Sequence, residues 1–162
     1  MDNEPRLRSE DSDDLIMTTD DSTIPAIETA HDPIVGADDM RQRWRALMGP
    51  LGFGSARLWF AFVGPDRRLL KVLNWLPLPP TPEPVEVDPL LFTLGEAIEA
   101  LEAESVAFLI SRPGRDGVSD DDLAWARQLI AAARRHDVPV QPVHRANDAD
   151  LVALTIAEDA AA

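Results

Sequence analysis

Hydrophobic positions along this 162-residue chain change their spacing several times, and each change marks an element. Met40, Trp44, Leu47 and Met48 recur at helical spacing, with Asp38 and Asp39 ahead of them and Gly49-Pro50 behind. Acids suit a helix N-terminus and glycine suits its end, so a first helix is expected here. Residues 57–63, Arg-Leu-Trp-Phe-Ala-Phe-Val, and residues 69–76 are β-rich apolar runs separated by Gly64-Pro65-Asp66-Arg67. That pattern predicts a β-hairpin. Residues 77–89 carry prolines at 77, 79, 80, 82, 84 and 89 and are expected to be extended. Leu90, Leu91, Leu94, Ile98 and Leu101 share one face of a helix predicted over 90–104. Residues 105–110 are apolar almost throughout, as in a strand buried on both faces. Ser119 and Asp122 have capping-box spacing and open a helix over 119–136. Its apolar face is Leu123, Ala126, Leu129, Ile130 and Ala133, and Arg134, Arg135 and His136 suit its C-terminal end. Strands follow over 138–145 and 151–156, around an Asn147-Asp148 turn.

The element order is α-β-β-α-β-α-β-β. It predicts an α/β (α+β) fold: a three-layer-like sandwich in which helices flank a mixed β-sheet. One domain over residues 37–157 accounts for these elements. Residues 1–36 have no sustained periodicity and few large apolar groups, so they are expected to be a disordered acidic arm. Leu15, Ile16 and Met17 are its one apolar cluster, either a chance grouping or a short docking motif. Residues 158–162 are expected to fray.

Charge reinforces this division. The net charge is -14, and residues 1–40 hold 12 acids against Arg6 and Arg8, leaving 17 acids and 13 bases for the rest. The largest basic grouping is Arg41, Arg43 and Arg45, so an electrostatic grip on nucleic acid is disfavoured. There are no cysteines, which excludes disulfides and Cys-based zinc sites. The first residues are acidic and polar, unlike a secretory signal, and no apolar run approaches the roughly 20 residues of a membrane helix. A cytoplasmic protein is expected.

Residues 106–122, V-A-F-L-I-S-R-P-G-R-D-G-V-S-D-D-D, join the buried strand to the capped helix. With Pro113, Gly114, Ser119 and Asp122, this stretch resembles the metal-site loop of JAB/MPN-type metallohydrolase domains (cytidine-deaminase-like in fold), especially the RadC-like bacterial branch. The similarity continues through Leu129, Ala132, Val138, Pro139, Asp148 and Val152. The resemblance implies a zinc held by a His-x-His-Pro pair and the aspartate of Ser-x-x-Asp. Here the two histidine positions read Ile110 and Arg112, the loop is slightly shorter, and the hairpin has no counterpart of the family's glutamate. A catalytic zinc wants about three protein ligands plus an open water position, and Asp122 supplies one. No metal and no cofactor are therefore expected.

Ser111, Arg112, Ser119, Asp122 and His144 make up the candidate degenerate site. Either Arg112 pairs with Asp122 in the metal's place, or Arg112 faces solvent and Asp122 only caps its helix. A rearranged hydrolase site around Ser111, Arg112, Asp122 and His144 is the enzymatic alternative. Against it, no G-x-S-x-G elbow surrounds Ser111, and Gly114 and Gly117 match no phosphate-loop spacing. His144 otherwise reads as a strand-edge histidine, and His136 as a helix-terminal one. Trp44, Phe53, Trp59, Phe60, Phe62 and Trp75 form a conspicuous apolar set. They either pack under the first helix or meet a protein partner or a second copy. The expected function is a non-catalytic, partner-binding or scaffold module. A DNA-repair-associated role is a weaker alternative carried only by the RadC-like resemblance.

Overall fold

A five-stranded mixed sheet, with helices on both faces of its central strands, forms the core of the computed structural model, which describes residues 24–82 and 84–156. The elements are α1 (Asp39–Met48), β1 (Arg57–Val63), β2 (Leu69–Pro77), α2 (Pro84–Leu101), β3 (Ser105–Ser111), α3 (Asp120–Arg135), β4 (His144–Ala146) and β5 (Leu151–Ala153). Spatially the strands run β2-β1-β3-β4-β5. β1 pairs antiparallel with β2 and β3, β3 pairs parallel with β4, and β4 pairs antiparallel with β5. This is the α/β sandwich expected from the order of elements. Among the described residues no helix is long and apolar enough to cross a membrane.

Alternation along the strands sorts the core into two layers. Leu58, Phe62, Val106, Phe108 and Ile110 face α2 and α3, where Leu91, Leu94, Trp125, Ala126 and Leu129 meet them. Ala61, Val63, Ala107 and Leu109 face the other way, onto Met40 and Trp44 of α1. β1 and β3 are apolar on successive residues because both of their faces are covered. Every residue of β3 is buried.

Four expectations need correction. The apolar set is not one interface: Trp44 is 0% exposed under α1 and Phe62 is buried against α2 and α3. The first helix covers one face of the sheet, and burial of Trp44 drives that packing. Residues 24–36 are ordered: Ile27–His31 form a 3-10 helix, and Ala30 and Ile34 are buried. Sparse apolar residues sufficed because the domain offers them a preformed surface. The rest of the expected arm, residues 1–23 with Leu15, Ile16 and Met17, and the tail 157–162 lie outside the described residues.

Proline produced the third correction. The expected extended stretch stops at residue 82, and α2 begins at Pro84 with Pro89 inside it. The proline φ is helical, and first-turn N–H groups have no intrahelical acceptor, so Pro84 loses nothing there. Pro89 forfeits one backbone hydrogen bond. Finally, the strand expected over 138–145 shrinks to β4, preceded by a single bridge between Val106 and Val140. The strand expected over 151–156 ends at Ala153.

α1 ends at Gly49, whose φ is 64° and whose N–H donates to the Arg45 carbonyl at 3.1 Å. A Cβ at this position would meet nothing within 4 Å. Gly49→Ala should therefore lose only backbone energy, about 1–3 kcal/mol, because φ 64° and ψ -143° lie in a region that essentially only glycine adopts. Urea unfolding of the variant checks this, and a loss several times larger would mean the turn does more than end a helix.

Candidate functional site

The loop between β3 and α3 is fixed from both ends. The Arg112 amide donates to the Ala146 carbonyl at 3.1 Å, extending the β3–β4 ladder by one rung. Asp148 then holds the loop: its carboxylate accepts from the amides of Gly114 and Phe53, both at 2.9 Å. The buried Asn147 donates from Nδ2 to the Asp116 carbonyl at 2.6 Å and turns its own chain by accepting from the amides of Ala149 and Asp150. Gly114, at φ 106°, takes a backbone conformation that side-chain-bearing residues avoid.

Asp122 is the hub. Ser119 and Asp122 form a complete capping box: the Asp122 amide donates to Ser119 Oγ at 3.1 Å and the Ser119 amide to Asp122 Oδ2 at 2.9 Å. The same carboxylate accepts a two-pronged grip from Arg112, Nε to Oδ1 at 2.9 Å and Nη2 to Oδ2 at 2.8 Å. Arg112 Nη2 also donates to the Gly117 carbonyl at 3.0 Å. Of the two readings of Arg112, the pairing holds and the solvent-facing one does not; Asp122 caps the helix and carries the ion pair as well. This geometry is the strong form of the arginine–carboxylate interaction.

A further charge sits behind this pair. Arg145, 1% exposed, places Nε 3.7 Å from Asp122 Oδ2 and donates from Nη1 to Asp150 Oδ1 at 2.6 Å. Ile110 and Arg145 are partners in the parallel β3–β4 register, which brings a β4 side chain under the α3 N-terminus. The sequence reading missed Arg145. The available signal was an arginine inside a strand expected from its valines, Val138, Val140 and Val143.

Electrostatics hold the site in one protonation state. Burial pushes the Asp122 carboxyl up, but the hydrogen bonds from Arg112 and Ser119 outweigh it and leave the group below the usual carboxylate range. The hydrogen bond to Asp122 in turn holds the Arg112 guanidinium above its ordinary value. Neither group is poised to exchange a proton near neutral pH.

The candidate set divides between the two faces of the sheet. Arg112, Ser119 and Asp122 come together on the α3 side. Ser111 and His144 lie on the α1 side, in the rows of Leu109 and Ala146. Ser111 Oγ accepts from Trp59 Nε1 at 2.8 Å. His144 is 1% exposed, its Nδ1 lies 3.1 Å from the Pro142 carbonyl oxygen, and burial pushes its pKa down to about 4. Backbone thus separates the nucleophile and base of the hydrolase alternative from Arg112 and Asp122.

Beside the ion pair lies an open cleft of about 390 Å³, lined by Leu78, Pro79, Asp116, Asp121 and Trp125 together with the Arg112–Asp122 pair. The proline-rich strap forms one wall and is pinned where Trp125 Nε1 donates to the Pro79 carbonyl at 2.9 Å. Among the described residues no group of three His, Asp or Glu side chains is placed to hold a metal ion. The residues present do not fit a zinc: Ile110 donates nothing, Arg112 is cationic, and Asp122 is already engaged.

The interface candidates also separate. Phe53, Trp59 and Phe60 are half-buried, and Trp75 on β2 is exposed. Arg57 stacks its guanidinium 3.9 Å from the Trp75 ring centroid, and the Trp59 and Trp75 centroids are 6.3 Å apart. No protein-family model matches the chain, and no curated protein matches it.

Proposed function

We propose that the chain is a JAB/MPN-like domain whose metal centre has been replaced by an ion pair, and that it acts by binding other protein surfaces rather than by catalysis. The observation that carries this reading is the two-pronged Arg112–Asp122 pair, at the place where the resemblance puts a zinc and its aspartate ligand. A guanidinium there neutralises the aspartate and fills the coordination space. It supports the loop and the helix N-terminus without generating a nucleophile. Two further observations support the reading: Ser111 and His144 lie across the sheet from Asp122, and the Asp122 carboxyl stays ionised.

Elemental analysis of untagged protein, with thermal melts in the presence of zinc and of a chelator, tests the proposal. Negligible metal and an unmoved melt are expected. Stoichiometric zinc that leaves together with stability on chelation would overturn it, because a resident metal stabilises the state that binds it.

A further inference from the structure

β2 is the outermost strand of the sheet at one side, so alternate N–H and C=O groups along it face away from β1. Both of its faces are bare beyond Leu70. Val72, Leu73, Trp75 and Leu76 are each 38–45% exposed. The usual defences of an edge lie at its start. There the register slips, with Ala61 opposite Leu73 but Val63 opposite Leu69, and Lys71 falls inside that bulge. From Leu73 to Leu76 no charge and no proline guards the strand.

We infer that residues 15–23 of the chain's own N-terminal segment dock along the outer edge of β2 as an added antiparallel strand and cover this patch. Position is the first argument. The described chain begins at Ile24, and its 3-10 helix, Ile27–His31, packs against the start of β2. His31 Nδ1 lies 3.2 Å from the Leu69 carbonyl oxygen, and Arg68 Nη1 donates to the His31 carbonyl at 3.0 Å. The described chain is thus anchored at the Leu69 end through His31, seven residues after Ile24. Running backwards along the chain towards Pro77 makes the pairing antiparallel. Residues 15–23 extended reach about 30 Å, and the nine residues of β2 span the same length.

Composition and charge agree. The segment reads Leu-Ile-Met-Thr-Thr-Asp-Asp-Ser-Thr, with apolar and β-branched residues first and Asp20 and Asp21 after them. β2 carries Lys71 and no acid, and Arg57 lies over Trp75. Size decides between this occupant and a second copy of the chain. The exposed parts of four large side chains amount to on the order of 300 Å², well below the roughly 800 Å² per partner of a stable interface. A tethered segment needs less area, because a short linker holds it at an effective concentration in the millimolar range. The inference rests on the edge strand and not on the Arg112–Asp122 pair. The zinc melt and the experiment below can therefore fail independently.

The test is residue-resolved amide hydrogen exchange on the full chain and on a full-chain Leu15→Asp/Ile16→Asp/Met17→Asp variant, each at several protein concentrations. In the unaltered chain the outward-facing amides of residues 72–76 should be protected to the same degree at every concentration. In the variant they should exchange at least about tenfold faster while α3 keeps its protection. Equal exchange in the two proteins would overturn the inference. So would protection that rises with protein concentration, which would identify a second copy as the occupant.

Discussion

Replacing Asp122 with alanine is expected to lower the free energy of unfolding by about 3–5 kcal/mol, the range for stripping one partner from a buried ion pair. Asp122 is 2% exposed and faces two guanidinium groups, of which Arg145 is 1% exposed. Without the carboxylate, Arg145 keeps, among the described residues, the half-exposed Asp150 as its counter-charge. The substitution also removes the side chain that accepts from the Ser119 amide in the capping box, which by itself is worth about 1 kcal/mol. Arg112→Ala should cost less, about 1–2 kcal/mol, because its side chain is 20% exposed and its cavity opens to the cleft. Urea unfolding of both single variants and the double variant isolates the pair, with a coupling of about 1–3 kcal/mol expected. An Asp122→Ala loss no larger than a cap, together with additive behaviour of the double variant, would mean Arg112 is a solvent-screened neighbour. The proposed replacement of a metal by an ion pair would then lose its footing.

The second large effect is a loss of stability in mild acid. Burial sets the folded pKa of His144 at about 4, below its ordinary 6.5. The unfolded chain takes up a proton as pH falls through 6.5, and the native chain does not until about 4. Stability is therefore complete above 6.5 and declines through that window, by about 2 kcal/mol between pH 7 and pH 5 and about 3 kcal/mol in all. The Pro142 carbonyl and Asp38 favour the charged imidazole and Arg41 opposes it, but desolvation dominates. The carboxylates act in a lower window. Asp38 is held near 2 by its hydrogen bonds from Arg41 and Gln42, and Asp122 also lies below its ordinary value. Stability they contribute is lost only as pH falls below about 4. Unfolding free energies at pH 7, 6 and 5 for the natural chain and for His144→Leu check the assignment. The variant should show a flattened slope, and an unchanged slope would place the acid response elsewhere.

Local signals were legible in the sequence because their physics acts within a turn or a strand. The Ser119 and Asp122 spacing marked the start of α3, since both capping hydrogen bonds close within three residues. The unbroken apolar run of β3 indicated a strand covered on both faces, and the turn chemistry between β1 and β2 placed the hairpin. Pairing of Arg112 with Asp122 was one of two open readings, and both of its residues were in view.

What the sequence by itself determined is therefore the element order, the mixed α/β class and the capped helix. Long-range placement was decided only by the tertiary structure. Arg145 reaches Asp122 because β3 and β4 run parallel in one particular register, and no local pattern encodes that register. Ser111 and His144 fell on the opposite face from Asp122 because side-chain direction follows strand parity once the sheet is assembled. Trp44, Phe62 and Trp75 are chemically alike in the sequence, yet two are core and one is surface. Trp44 is buried because α1 packs on the sheet, whereas the fates of Phe62 and Trp75 depend on which strand is central and which is the edge, and strand order is set by the whole set of competing pairings rather than by any one segment.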